Sequence, residues 1–296
     1  MLLSTQTLVA VSRFGLFDGV RMLMDAGYPA IDLSMISDAD YLSYAHSDMV
    51  ETAKKLKAMA DERGVVFNQA HAPFGGGYDH YTQKLIPLMP RVFEFASILG
   101  IEHVVVHPLQ KGRYYGREAE LFEMNREFYA SLAPIAESTG VKIAIENMWQ
   151  NHPITRHICD DVCAPPEELA AYYDAQNRPD LFGVCLDLGH VALCGREPQD
   201  AIRTIGHDRL GALHVHDVSY VSDDHTLPGM GRINWDAVLE ALADIDYQGD
   251  FTFEADCFLM RYHKDFLPTA MKFMCDCGKH LVSRFDAIKA EKAGKA

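Results

Sequence analysis

Gly140-Val141-Lys142-Ile143-Ala144-Ile145-Glu146-Asn147 closes one helical pattern and opens a strand. A glycine directly after the amphipathic stretch 118–138 is the residue that tolerates the left-handed closing turn of a helix. The run behind it is apolar and β-branched, and it stops on a carboxylate. The same unit recurs in both directions along the chain. Apolar runs fall at Leu2–Val9, Ala30–Leu33, Val65–Ala70, His103–His107, Val141–Glu146, Gly183–Asp187, Gly211–His216 and Asp250–Glu254. Helical patterns lie near 14–26, 47–62, 82–99, 118–138, 166–175, 198–205, 235–243 and 268–284. Gly64 and Gly100 repeat the Gly140 signal. Pro165-Pro166 ahead of Glu167-Glu168 opens a helix where a missing N–H costs nothing and acids meet the positive end. Strands alternating with helices imply right-handed βαβ units and a parallel sheet. Eight units spaced by roughly 35 residues predict one α/β domain over residues 1–296, a closed (β/α)8 barrel and not an open sheet. No linker or composition shift divides the chain.

In such a barrel the carboxyl ends of all strands meet at one face, where active sites sit. Six consecutive units end there in a potential metal ligand: His71, His107, Glu146, Asp187 with His190, His214 with His216, and Glu254. Desolvating an isolated charge costs several kcal/mol, so Glu146, Asp187 and Glu254 need partners. The loops of that face hold only scattered cations, such as Lys111 and Arg113. A divalent cation is the economical partner. Mixed imidazole and carboxylate donors suit Zn²⁺, Mn²⁺ or Co²⁺, with Mg²⁺ and Fe²⁺ admissible, over a thiolate-loving metal. His214 and His216, two apart on a strand, point to one side, so at most one need be a ligand. The Pro- and Gly-containing loop Ser222–Gly231 carries Asp223-x-His225, which reads either as a further metal site or as a turn capped by Asp223.

Composition narrows the partners. The 296 residues are 48% hydrophobic and 23% charged, and 27 basic against 42 acidic residues leave a formal charge of −15. Such a surface repels phosphate backbones on average, so nucleic acid is not the favoured partner. No apolar run approaches the roughly 18 residues of a membrane span, so no membrane partner is expected. The start, MLLSTQTLVAVSRFG, lacks a basic segment followed by a long apolar core. An odd number of scattered cysteines, seven, is no disulfide framework. These features together predict a cytoplasmic protein with reduced thiols; assembly into a homo-oligomer stays open.

The ordered motifs have a family. His71-Ala-Pro, His107-Pro, Ile145-Glu-Asn, Leu186-Asp-Leu-Gly-His190, His214-Val-His-Asp217 with Asp223-Asp-His-Thr-Leu-Pro-Gly-Met-Gly-Arg-Ile-Asn-Trp235, and Phe253-Glu-Ala-Asp256 resemble the xylose isomerase-like TIM-barrel superfamily. That superfamily includes sugar and sugar-phosphate isomerases and epimerases, inosose dehydratases and endonuclease IV. The resemblance spans about residues 15–285. It implies one divalent metal held by Glu146, Asp187, His214 and Glu254. His214 is favoured over His216 because family members place the ligand three before an acidic residue, here Asp217. His190 falls where the family contacts substrate or a second metal. Endonuclease IV holds three zinc ions with nine ligands, whose counterparts here are His71, His107, Glu146, Asp187, His190, His214, Asp223, His225 and Glu254. Against that branch, Glu146 is followed by Asn147-Met148-Trp149 and not by a Gly-rich turn. The ketose epimerases carry an Arg near the position of Tyr220, so tagatose or psicose epimerisation is not implied.

The expected chemistry is proton transfer beside a metal-bound carbonyl, with Glu146 and Glu254 as the acid–base pair of an isomerase or epimerase in carbohydrate metabolism. Loss of a β-hydroxyl from the same enediolate makes a lyase the neighbouring outcome, and a phosphodiesterase the rival. One tightly held metal is expected, with His71, His107, His190, His216, Asp223 and His225 as further ligands or as partners of sugar hydroxyls. Trp149 reads as a wall for a sugar ring or as packing beneath a loop. Arg261 and Lys264 read as holders of an anionic group or as solvated surface. Gly75-Gly76-Gly77 with Tyr78, Asp79 and His80 suggests a lid.

Overall fold

A computed structural model of the protein describes residues 1–36 and 40–294. Its strands are β1 (Leu3–Thr5), β2 (Ala30–Ser34), β3 (Val66–His71), β4 (His103–Val106), β5 (Lys142–Glu146), β6 (Trp149–Asn151), β7 (Ile158–Asp160), β8 (Phe182–Asp187), β9 (Leu210–His214) and β10 (Phe251–Phe253). A six-stranded parallel sheet runs β2-β3-β4-β5-β8-β9, and β1 pairs parallel with β10. Isolated parallel bridges, Gln6 to Asp32 and Val215 to Phe253, join that pair to both ends of the larger sheet. β6 and β7 form an antiparallel hairpin.

Helix and strand signals read from the sequence fall close to the observed elements. Helices cover His46–Asp61, Met89–Leu99, Glu118–Thr139, Pro166–Gln176, Pro198–Ile205, Trp235–Asp244 and Leu267–Ala293. Gly64, Gly100 and Gly140 adopt φ of 64°, 77° and 70°, the left-handed turn expected of them. Pro166 takes the first helical position, and Glu168 accepts the Cys163 N–H. The first apolar run is the main departure. Only Leu3–Thr5 is strand, and Leu8–Phe14 is a helix whose Val9, Ala10 and Val11 are buried. Tertiary burial overrides the β-branched local preference there.

Strand periodicity positions the site. Val105, Ala144, Cys185 and Ala212 form a separate small apolar cluster of neighbouring strands. Side chains alternate along a strand, so the residue two further on points the same way. Those residues are His107, Glu146, Asp187 and His214. On the remaining strands the equivalent layer is polar: Gln69 donates to Asp32 at 3.0 Å and accepts from Thr252 at 3.2 Å. Two residues beyond Gln69 and Thr252 stand His71 and Glu254. Small residues below therefore leave room for a ring of large polar groups above.

The long last helix packs directly on the β1–β10 pair. A Cβ at Gly278 would overlap Leu3 and the Phe253 ring. Gly278→Ala is expected to cost about 1–3 kcal/mol through overpacking, measured by chemical denaturation; wild-type stability would refute this close approach. Among the described residues no helix is long and apolar enough to cross a membrane.

Candidate active site

Glu146 lies at the centre of the carboxyl-end cluster. His214 Nδ1 is 2.8 Å from its Oε1, and His107 Nε2 and His71 Nε2 lie 2.9 Å and 3.4 Å from its Oε2. Glu254 Oε2 reaches the same His214 Nδ1 at 3.1 Å. Burial pushes the Glu146 carboxyl up, but the charges of His214 and His107 outweigh it and hold it well below the usual carboxylate range. Glu254 behaves alike: burial raises it, and His214 and His225 outweigh that and bring it below the usual carboxylate range.

Three histidines are oriented through backbone carbonyls. Nδ1 of His71, His190 and His225 lies 2.9, 2.8 and 2.8 Å from the carbonyls of Ala72, Asn147 and Glu254, respectively. A ring that donates from Nδ1 turns Nε2 into the cavity, the orientation that metal-ligating imidazoles take from their outer partners. His71 Nε2 and His107 Nε2 approach to 3.1 Å and both face Glu146 Oε2. Asp223 Oδ1 lies 3.2 Å from His225 Nε2, and its Oδ2 faces His190 Nε2 at 3.8 Å. Burial lowers the His190 pKa, yet Asp187, Asp223 and Glu146 push it up to about 10.

Donor atoms thus gather in overlapping groups within 4.8 Å of one another: Glu146, Asp187, His214 and Glu254; His71, His107 and Glu146; and His190, His216, Asp223 and His225. Glu146 belongs to two of them. Glu146 Oε2, His214 Nε2 and Asp223 Oδ1 are buried without a well-formed hydrogen bond. Buried polar atoms of that kind are costly unless something else satisfies them. The donor set fits a divalent cation of the zinc or manganese kind.

Trp149 begins β6 and donates from Nε1 to Asp223 at 3.2 Å. With Phe74, Met148, Gln110, His107, Glu146, His190, His225 and Glu254 it lines a cavity of about 270 Å³. Arg261 lines a neighbouring cavity with Asp224, Thr226, Met230, Phe258 and Tyr262, apart from the ligand cluster. Lys264 sits 4.7 Å over the Phe14 ring. The Gly75–Gly77 segment borders a smaller cleft that shares Phe74, His107 and Gln110 with the main cavity. Turn capping in the 219–231 loop falls to Asp224, which accepts from Ser219 N at 2.9 Å and from the Ser222 hydroxyl, leaving Asp223 to face the site.

Several contributors were not singled out from sequence. Gln6 donates to Glu254 Oε1 at 2.6 Å. Asp32, fully buried, faces His214 Nε2 at 3.8 Å, and burial pushes its carboxyl up to about 6. Asn147 clamps β5 to β8 by accepting the Asp187 N–H at 2.8 Å and donating to the Asp187 carbonyl at 3.0 Å. A polar residue inside an apolar strand run, as in Ala30-Ile31-Asp32-Leu33, is the signal that could have located Asp32.

Comparison with known proteins places this architecture. The xylose isomerase-like TIM barrel family model matches residues 20–276, and the chain belongs to that family. An inosose isomerase from Bacillus velezensis is 26% identical over 271 residues, covering 88% of this chain and 89% of that protein. A probable endonuclease 4 from Oleidesulfovibrio alaskensis is 29% identical over 170 residues, covering 51% of this chain and 53% of that protein. Among solved structures, a D-tagatose 3-epimerase-like protein superposes with a TM-score of 0.76 at 21% identity, covering 99% and 100% of the two chains. The IOLI protein, solved with a binding zinc atom, gives 0.73 at 19% identity, covering 96% and 98%.

Proposed function

We propose that the protein is a divalent-metal-dependent sugar isomerase or epimerase, built on a single-domain (β/α)8 barrel closed by the Gln6–Asp32 and Val215–Phe253 bridges. One observation carries the reading: Glu146 and Glu254, from different strands, converge on His214 Nδ1 at 2.8 and 3.1 Å at the floor of an apolar-walled cavity. Its volume, about 270 Å³, lies just below the roughly 300–1,000 Å³ of small-molecule pockets. That suits a monosaccharide or cyclitol better than a duplex. The inosose isomerase relative and the epimerase-like fold neighbours support the same class.

Glu146, Asp187, His214 and Glu254 would hold the metal, which when bound supplies Lewis acidity to a substrate carbonyl. The protein's own residues do the rest. A Glu carboxylate oxygen takes the proton from the carbon beside the carbonyl, and the second Glu returns one to the neighbouring position or opposite face. Gln6 holds Glu254 in place through Oε1, leaving Oε2 toward the cavity. Phe74, Met148 and Trp149 exclude water, which strengthens each charge interaction inside. His190 and His225, with Nδ1 anchored on carbonyls, offer Nε2 to sugar hydroxyls or to further ions.

A panel of ketoses, inososes and dehydro-sugars incubated in D₂O with metal-loaded protein tests this: solvent deuterium should enter at the carbon beside the carbonyl. The second reading, a metal phosphodiesterase, is favoured by the overlapping ligand groups that share Glu146. Cleavage of an abasic-site oligonucleotide without deuterium entering any sugar would decide for it. Elimination of water from the exchanged sugar would place the protein among dehydratases.

Zinc uptake at neutral pH is expected to release protons. Burial disfavours the charged form of His214, but Cys185, Glu254 and Glu146 hold its pKa well above the usual imidazole value, so in the metal-free protein it keeps its second proton and a bound ion must displace it. Apparent zinc affinity therefore rises with pH through the neutral range. Calorimetric heats that depend on the buffer's ionisation enthalpy would show the release; buffer-independent heats would contradict it.

A further inference from the structure

We infer that His216 is a positioning residue that locks Asp187 and braces His225, with Gly189 as the clearance that admits its ring. The inference rests on the metal reading of the site. His216 follows β9 and is fully buried. Its Nε2 lies 3.0 and 3.1 Å from the two carboxylate oxygens of Asp187, so the ring spends its donor on that carboxylate. Nδ1 is buried with no partner. A ligand nitrogen would present a lone pair to the cavity; this one presents a hydrogen to a neighbouring ligand.

The second contact is face to face. His216 stacks on His225 with centroids 3.9 Å apart and planes 6° from parallel. His225 cannot rotate about that plane without losing the stack or its Nδ1 bond to the Glu254 carbonyl at 2.8 Å. One side chain therefore connects the group containing Asp187 with the group containing Asp223 and His225. Asp187 Oδ1 also accepts the His190 N–H at 2.6 Å, and Asn147 holds the Asp187 backbone. His216 is the side chain that reaches both carboxylate oxygens.

Gly189 makes room for this arrangement. A Cβ there would fall inside the His216 ring, overlapping Cε1 and both nitrogens. Its φ lies outside the left-handed range that favours glycine, so contact with His216, not backbone conformation, dictates the residue. The Leu186-Asp-Leu-Gly-His190 motif thus carries both a ligand and the space for the group that orients it.

Zinc binding to purified full-length protein, measured by competition with a chromophoric chelator, tests the proposal. Loss of an orienting partner typically weakens metal affinity about 10- to 100-fold. His216→Ala should do so while His216→Gln, which keeps a donor, restores most of it. Gly189→Ala should weaken zinc comparably in the wild-type background and have little effect in His216→Ala, where there is no ring to displace. Circular dichroism and thermal unfolding of each metal-free variant separate misfolding from lost positioning. Wild-type affinity in His216→Ala, or a Gly189→Ala penalty that persists without the ring, would overturn the proposal. Complete loss of one zinc equivalent with no rescue by Gln would instead make His216 a ligand. Wild-type protein that takes up no zinc would remove the metal reading itself.

Discussion

Glu146→Gln is expected to abolish tight metal binding in two ligand groups at once. The carboxylate faces His214, His107 and His71 through both oxygens and is common to the group with Asp187 and Glu254 and the group with the two histidines. Glutamine preserves the volume but removes the charge and turns one acceptor into a donor aimed at imidazole nitrogens. Zinc affinity should fall by more than about 100-fold, beyond the 10- to 100-fold typical of losing an outer partner. Deuterium exchange into a sugar substrate should vanish with it, because Glu146 is also one of the two proposed proton carriers. Metal analysis after dialysis, together with chelator competition, checks the first part. Unchanged zinc stoichiometry and affinity in Glu146→Gln would exclude it as the shared ligand.

Asp217→Ala is expected to be the most destabilising single change near the site. Asp217 is fully buried and accepts from the N–H groups of Val218, Gly229 and Ile233 and from Trp235 Nε1, at 2.9, 2.8, 3.1 and 2.9 Å. Each buried donor left without an acceptor costs about 1–3 kcal/mol, and loop relaxation recovers part. A net loss of about 4 kcal/mol is the expected result in guanidinium unfolding, with Asp217→Asn less severe because one acceptor oxygen remains. The four donors tie down the loop that bears Asp223 and His225. Metal retention should therefore fail first in that group and last at Glu146. A loss below about 1 kcal/mol, or a uniform loss of metal, would show that the loop does not hang on this carboxylate.

Much of the frame was legible because the signals were periodic. The run Val141–Glu146 needed only its apolar, β-branched character and the flanking Gly140 to be placed as a strand ending in a cavity group. The same logic located His71, His107, Asp187, His214 and Glu254 at strand ends, and the structure brings these side chains together. What escaped was fixed by contacts distant in sequence. Helix Leu8–Phe14 is written in Leu-Val-Ala-Val, a composition that reads as strand until its packing is known. The β6–β7 hairpin offers three-residue strands with no turn signature. Gln6 and Asp32 look like ordinary polar residues, and only closure of β1 against β2 and β10 puts them behind Glu254 and His214. Asn147 and Gly189 were quoted within motifs, yet their tasks, a clamp between strands and room for a ring, are visible only in three dimensions.

The layer of small interior residues beneath His107, Glu146, Asp187 and His214 bears on how a site of this kind can change over evolutionary time. Those four side chains inherit their aim from strand register, whereas Trp149, Asp223 and His225 ride on the hairpin and the 219–231 loop. Insertions or substitutions in the loops can reshape which molecule enters without re-aiming the groups proposed to handle protons and metal. Chemistry and substrate choice are thereby written in separable parts of the chain, and the Asp217 knot marks the seam between them.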